Sequence, residues 1–229
     1  MYAFPGILLR LDKRTMAVSG RLTLQHGEDD VRWVESAPGH PYLYANTNTS
    51  PSRVVAVRKK GMKRVGTLVL QRGEDYALCG LLRGAKGGAR GPPRMLLLGM
   101  NTSPGRVVRV DLGLSAATWR EGQMARTGGV VLRKGESHVV ALDADERFVY
   151  AATYSTPALV VKLALADLKR VAALSLKMPG GEKITALVHG SAGHFYVGTD
   201  TRPGTIVQLR GFDGDGAPHL AKRRRLLEA

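Results

Sequence analysis

Four glutamates recur directly behind a glycine, in Gly27-Glu28-Asp29, Gly73-Glu74-Asp75, Gly135-Glu136-Ser137 and Gly181-Glu182-Lys183. Carboxylates returning at intervals could form a ring of metal ligands, or each could accept hydrogen bonds from backbone N–H groups in its own turn. A residue that returns once per repeat serves the repeat before it serves a single site, so the turn role is expected for Glu28, Glu74, Glu136 and Glu182. The other residues able to do chemistry are scattered. The histidines His26, His40, His138, His189, His194 and His219 form no His-x-x-x-His pair, and Cys79 is the only cysteine. The stretch Asp213-Gly214-Asp215-Gly216 begins like a calcium loop, but Arg224 stands where the closing Glu is required. Neither a Gly-x-Ser-x-Gly elbow nor a phosphate-binding Gly-x-x-x-x-Gly-Lys-Ser/Thr loop occurs. No catalytic, cofactor or metal residues are therefore assigned, and a non-enzyme without cofactor is expected.

The elements that must carry these residues repeat. The segment from Tyr44 to Val57 aligns with Leu98 to Asp111, Tyr150 to Leu163 and Tyr196 to Leu209, and a shortened copy opens the chain. The marker prolines Pro5, Pro51, Pro104, Pro157 and Pro203 lie 46, 53, 53 and 46 residues apart. They and the Gly-Glu turns are read as repeated structural turns. A Gly/Pro-rich insertion at 83–94 and an expanded loop at 113–128 account for the longer intervals. Within one period, runs at 31–35, 42–46, 53–58 and 65–70 are short, apolar and β-branched, with turn residues between them. Four antiparallel strands per period of about 40 to 50 residues is the pattern of a β-propeller blade. The expected fold is all-β, with four-stranded antiparallel blades, about four and a half of them. The repeats fill 1–216 as a partial blade at 1–24, blades at 31–70, 76–132 and 138–176, and a last blade at 184–210, followed by a basic tail at 217–229.

Tyr196-Val197-Gly198-Thr199 and Arg106-Val107-Val108-Arg109-Val110-Asp111-Leu112 resemble the YVTN-like β-propeller repeats, with a Tyr-Val-x-small strand, a Pro/Gly hairpin and a Val-x-Val-Asp strand. Arg58 and Gly211 depart from the Asp position. The resemblance covers nearly the whole chain and implies a fold. It implies little about activity, because propellers host many unrelated functions.

Charge supplies the next expectation. The 229 residues hold 34 Lys and Arg against 19 Asp and Glu, a net charge of +15 that favours polyanionic partners. In an antiparallel meander the Pro-containing hairpins and the Gly-Glu turns share one end of the strands. The other end should carry Lys59, Lys60 and Lys63, then Lys86, Arg90 and Arg94, then Lys169 and Arg170, with Lys13, Arg14, Arg120, Arg126 and Arg147 beside them. Lys59, Lys60, Lys63, Lys86, Arg90, Arg94, Lys169 and Arg170, together with Lys222, Arg223, Arg224 and Arg225 of the tail, are the candidate polyanion-binding set. Trp33 and Trp119 are expected to anchor packing, and Cys79 to be a buried apolar residue.

Counting strands does not close a ring. The chain opens inside a blade, with third and fourth strands at 6–11 and 20–24, and the basic tail reads as a poor fourth strand for the last blade. Either another polypeptide completes the propeller, or the sequence is part of a longer product, or a strained five-bladed ring forms. The leading functional expectation is a non-catalytic scaffold, a structural subunit that binds other protein subunits in a large assembly. The second is an RNA-contacting subunit of a ribonucleoprotein, such as an organelle ribosome, acting through the basic end. The third is a ligand-binding or hydrolytic propeller. A single cysteine excludes an internal disulfide framework and points to a reducing intracellular compartment, an organelle matrix included. No run reaches the roughly 20 apolar residues of a transmembrane helix, and membrane insertion is not expected.

Overall fold

The structure is a computed structural model that describes residues 4–84, 93–113, 123–176, 183–190, 193–210 and 219–225. Among these residues there are eighteen strands and no helix, hence none long and apolar enough to cross a membrane. Strands β1 (Ile7–Leu11) and β2 (Val18–Thr23) form a two-stranded sheet. Strands β3 (Val31–Glu35), β4 (Tyr42–Thr47), β5 (Arg53–Arg58) and β6 (Lys63–Val69) form a four-stranded sheet in sequence order. The same order holds for β7 (Ala77–Gly84), β8 (Pro93–Met100), β9 (Arg106–Asp111) and β10 (Ala125–Val131). It recurs in β11 (Val139–Ala144), β12 (Phe148–Thr153), β13 (Ala158–Ala164) and β14 (Arg170–Leu176). The last sheet is β15 (Ile184–His189), β16 (Phe195–Thr199), β17 (Thr205–Arg210) and β18 (His219–Arg225). Four four-stranded meanders and a half-sheet are the expected blades.

The chain divides into two compact units. One comprises Met1–Ala85, Ala89–Leu98 and Arg109–Thr127, and the other Lys86–Gly88, Gly99–Val108 and Gly128–Ala229. In the first, Leu8, Leu24, Ala45, Val55, Val57 and Met62 form a buried apolar cluster, and Trp33 of β3 packs over β7. A Cβ built at Gly80 would lie 2.8 Å from the Trp33 ring, so only glycine lets the indole seat there. In the second, Tyr150 and Phe195 meet with ring centroids 4.3 Å apart inside a cluster drawn from β12, β13, β14, β15, β16 and β17. Burial follows strand position. All six residues of β12 are buried, as are the four central residues of β5, because the middle strands of each sheet are covered on both faces.

Two turns repeat with their dihedrals. Gly27, Gly73 and Gly135 have φ of 80°, 83° and 89°, and three residues later Asp30, Tyr76 and His138 have φ of 46°, 56° and 57°. The left-handed position explains the glycine before Glu28, Glu74 and Glu136. Between third and fourth strands, Met16, Met62 and Leu168 take φ of 58°, 49° and 60°. Pro51, Pro104, Pro157 and Pro203 each follow a cis peptide bond, and Pro5 forms an isolated bridge with Asp29.

One expectation is corrected. The segment expected as a basic tail supplies β18, which pairs with β17 through Thr205↔Arg225, Ile206↔Arg224, Val207↔Arg223 and Gln208↔Lys222. The last blade therefore does not stop at residue 210. A run of Lys and Arg reads as a poor strand by composition, but an outermost strand needs only one ladder partner, and charged residues are characteristic of exposed sheet edges.

Candidate functional site

The repeated glutamates sit where the fourth strand of one sheet turns into the first strand of the next. Each carboxylate binds its own turn and then reaches a distant arginine. Glu28 accepts the Gln25 N–H at 3.0 Å through Oε2, while its Oε1 accepts Arg64 Nη2 at 2.6 Å and also the Thr67 hydroxyl. Glu74 accepts the Gln71 N–H at 2.9 Å and Arg126 Nε at 2.7 Å. Glu136 accepts the Arg133 N–H at 2.8 Å and Arg170 Nη2 at 2.8 Å. The three carboxylate side chains are 1%, 3% and 6% exposed, and their arginines 25%, 26% and 22%. Glu182 lies outside the described residues.

This arrangement is structural chemistry. A carboxylate whose lone pairs already meet a guanidinium and a backbone amide has little capacity left for a metal or for a reacting proton. Burial of the Glu28 carboxyl works to raise its pKa, but hydrogen bonds from Arg64, Thr67 and Gln25, with the Arg64 charge, outweigh it and hold the group below the ordinary carboxylate value. The turn role expected for Glu28, Glu74 and Glu136 is thus present, with an ion pair added to it. The arginines were missed as partners. Their signal is an Arg near the start of three fourth strands, in Lys63-Arg64-Val65, Ala125-Arg126-Thr127 and Lys169-Arg170-Val171.

The hairpins before the third strands meet the same turns, which places both at one end of the strands. The Ser50 hydroxyl donates to Asp75 at 2.9 Å, Asn48 Nδ2 donates to Asp30 at 2.7 Å, and the Ser103 and Ser137 hydroxyls are 2.9 Å apart. His138 Nδ1 and Asn101 Oδ1 are 2.7 Å apart.

The candidate polyanion-binding residues do not behave as a set. Arg170 is corrected: its guanidinium is held by buried Glu136, so its charge is neutralised within the fold and not offered to a phosphate, and Arg126 is in the same position on Glu74. Lys59 donates through Nζ to the Ala37 carbonyl at 3.2 Å, whereas Lys60 and Lys63 are exposed. Lys169 pairs with Asp167 at 2.9 Å on an exposed turn. Lys86 and Arg90 lie outside the described residues. Arg94 is exposed and lines a cleft of about 390 Å³ together with Arg109, Asp111 and Thr127. Lys222, Arg223, Arg224 and Arg225 belong to β18 rather than to a free tail.

Other polar groups are buried for local reasons. Lys162 of β13 is 0% exposed, with its ammonium 3.9 Å from the centre of the Phe148 ring. Beside it in the register, Tyr150 donates its hydroxyl to Asp145 at 2.5 Å. Burial pushes the Tyr44 hydroxyl well above its ordinary pKa, with the Tyr42 phenol adding to it. Burial likewise lowers His40, as does the Lys59 charge, against a hydrogen bond to the Tyr42 carbonyl that raises it. Cys79 of β7 is 8% exposed. Among the described residues no group of three or more His, Cys, Asp or Glu is placed to hold a metal ion.

No known family profile matches the chain, and no curated protein matches it in sequence. Solved structures do. U3-55K superposes with a TM-score of 0.68 at 12% identity, covering 96% of this chain and 61% of that one. The fold is that of a β-propeller. The β-propeller domain of Cps50 (Swd1) from Myceliophteria thermophila gives a TM-score of 0.65 at 14% identity, over 96% of this chain and 66% of that one. The WD40 repeats of RRP9 give 0.67 at 12% identity, over 96% and 61%. The propeller repeats of this chain thus span less than two thirds of the length of the structures they match.

Proposed function

We propose that this chain is a non-catalytic propeller scaffold of YVTN-like repeats, a structural subunit that binds other proteins within a larger assembly. The observation that carries the reading is the fold itself, four four-stranded meanders and a two-stranded sheet among the described residues that superpose on solved β-propellers. The structural use of Glu28, Glu74 and Glu136 supports it, since the most regular acidic residues are engaged in holding sheets together. The lone, buried Cys79 suits a reducing intracellular compartment, an organelle matrix included. The test is recovery of the tagged chain from its native source, with and without RNase, read by mass spectrometry and particle size. An RNase-resistant multiprotein complex is expected. Recovery of the free chain alone would overturn the reading.

A second reading, contact with RNA in a ribonucleoprotein, is favoured by the exposed Lys60, Lys63 and Arg94 and by the cleft that Arg94 shares with Arg109. Reversal of Lys60 and Lys63 to Glu would then weaken RNA binding and reduce its salt slope by roughly 0.7 per lost phosphate contact. Unchanged affinity and slope would remove that patch from the reading.

A further inference from the structure

The chain makes a similar turn between β1 and β2, between β5 and β6, and between β13 and β14. Met16, Met62 and Leu168 stand in these turns with φ of 58°, 49° and 60°. The Met16 N–H reaches the Asp12 carbonyl at 2.8 Å, and the Leu168 N–H reaches the Ala164 carbonyl at the same distance. Ahead of the left-handed position the first two turns read Lys13-Arg14 and Lys59-Lys60, whereas the third reads Leu165-Ala166. The turn between β9 and β10 lies outside the described residues. Leucine and alanine serve the turn as well as lysine and arginine do, so its backbone does not call for the cations.

The two dibasic turns adjoin. Arg10 of β1 reaches with Nη1 to the Lys59 carbonyl at 3.5 Å, and a Cβ built at Gly20 of β2 would lie 3.1 Å from Met62 Cγ. Lys13, Arg14, Lys60 and Lys63 are exposed. Pairing sets them apart from other cations of the chain. Arg32, Arg64, Arg126, Lys169 and Arg170 are held by carboxylates, whereas these four form no ion pair among the described residues. The one carboxylate within the two turns, Asp12, accepts the Arg14 and Thr15 N–H groups at 3.0 and 2.9 Å and so serves its own turn.

We infer that the adjoining turns at 12–17 and 59–63 form a contact for the phosphate backbone of double-helical RNA, made without regard to base sequence. The inference rests on the RNA-contact reading and says which residues make the contact and which form of RNA they take. An exposed lysine gains little from a single exposed carboxylate. Each phosphate contact on a duplex releases condensed counterions instead, and the gains accumulate along the strand. A line of phosphates therefore suits these side chains better than an acidic protein surface does. Neither turn carries an aromatic residue on which an unpaired base could stack. The surface thus meets phosphates rather than bases, and a duplex presents them in a fixed array.

The test is the fluorescence anisotropy of a labelled RNA duplex of mixed sequence, titrated with the full-length protein over a range of salt. Lys13→Glu with Arg14→Glu, and separately Lys60→Glu with Lys63→Glu, should each weaken binding roughly tenfold and reduce the salt slope by about one per lost phosphate contact. Arg72→Glu with Lys134→Glu makes the same change in net charge at exposed residues beside the Gly-Glu turns, at the other end of the strands, and should weaken binding far less. Lys13→Leu with Arg14→Ala, the pair that the turn between β13 and β14 uses, removes the charge and keeps the test open should a reversed variant not fold. Duplexes of different sequence should bind alike, and an unstructured single strand more weakly. An equal loss in the Arg72 and Lys134 variant overturns the inference, as does tighter binding of the single strand. Binding of polyglutamate or of phosphatidylserine vesicles without binding of the duplex overturns it in favour of an acidic protein or a membrane. Duplex binding that both turn variants leave intact sinks this surface and leaves the RNA reading standing, whereas a wild-type chain that binds neither form of RNA sinks that reading too.

Discussion

Strands β1 and β5 carry a similar apolar pattern and pair with their fourth strands in the same register, yet Leu9 and Leu11 of the one are exposed while Val55 and Val57 of the other are buried. The difference does not lie in either strand. A strand in a meander is buried by the strand before it and the sheet beside it, so a similar apolar pattern gives opposite exposure when only one neighbour is present among the described residues. The comparison also separates two kinds of residue in this protein. Residues that hold a blade together are satisfied within it, and β1 is paired on one side alone among the described residues.

The largest expected effect sets the strands directly against each other. Val55→Asp should cost about 4 kcal/mol or abolish folding, because the carboxylate enters an apolar interior without a partner. Leu9→Asp should stay within about 1 kcal/mol of wild type in urea denaturation. Equal losses at the two positions would break the comparison.

Next come the glutamate latches, which fasten each turn to a fourth strand. Glu28→Ala should cost about 3 kcal/mol, since it removes one partner of a largely buried ion pair and frees a turn amide. Adding Arg64→Ala should cost little more, with a coupling of about 1 to 3 kcal/mol in the double-mutant cycle. The pair Glu136 and Arg170 should behave alike, which would show that the repeats use the device equivalently. Additive losses would show instead that each side chain acts on its own.

A third effect concerns acid. The Glu28 pKa is lowered in the folded state, so its stabilisation is present above the ordinary carboxylate value of 4.5 and is lost as the pH falls through the depressed folded value. Glu28→Gln should therefore flatten the decline of stability below about pH 4.5 in urea melts taken across that range. An unchanged acid limb would exclude the ion pair as its source.

The smallest effect sharpens the comparison at neutral pH. His40 is buried and its pKa is lowered by that burial and by the Lys59 charge, so its neutral form stabilises the fold above the ordinary value of 6.5, and the contribution fades as the pH falls below it. Replacement by Gln should lessen the loss of stability between pH 7 and 5, measured by thermal unfolding. The same slope in wild type and variant would assign that loss to other groups.

Much of the site was legible beforehand because it repeats. Gly-Glu at a fixed place in each period announced a turn, and the left-handed φ of Gly27, Gly73 and Gly135 is the backbone reason that glycine precedes the glutamate. The arginine on the other side of the carboxylate was not legible. Arg64, Arg126 and Arg170 follow their glutamates by 36, 52 and 34 residues, and inserted loops of different length hide a pairing that is regular in space. Arg126 and Arg170 read as members of a basic face when charge is counted along the chain, because counting does not see which charges are already paired. In the last sheet Leu220 pairs with Leu209 at the place where Arg64 pairs with Val57 and Arg170 with Leu163, so that place holds no arginine there.

Sequence by itself determined the period, the four short strands in each repeat and the chemistry of their turns, because alternation, β-branching and left-handed glycine positions are properties of a few consecutive residues. Only the tertiary structure decided that the basic C-terminal run is a strand, that three glutamates close on arginines, and that Leu9 and Leu11 lie open while Val55 and Val57 do not. Each of those outcomes depends on which segment lies alongside, and that is set by pairing over tens of residues rather than by the residues themselves.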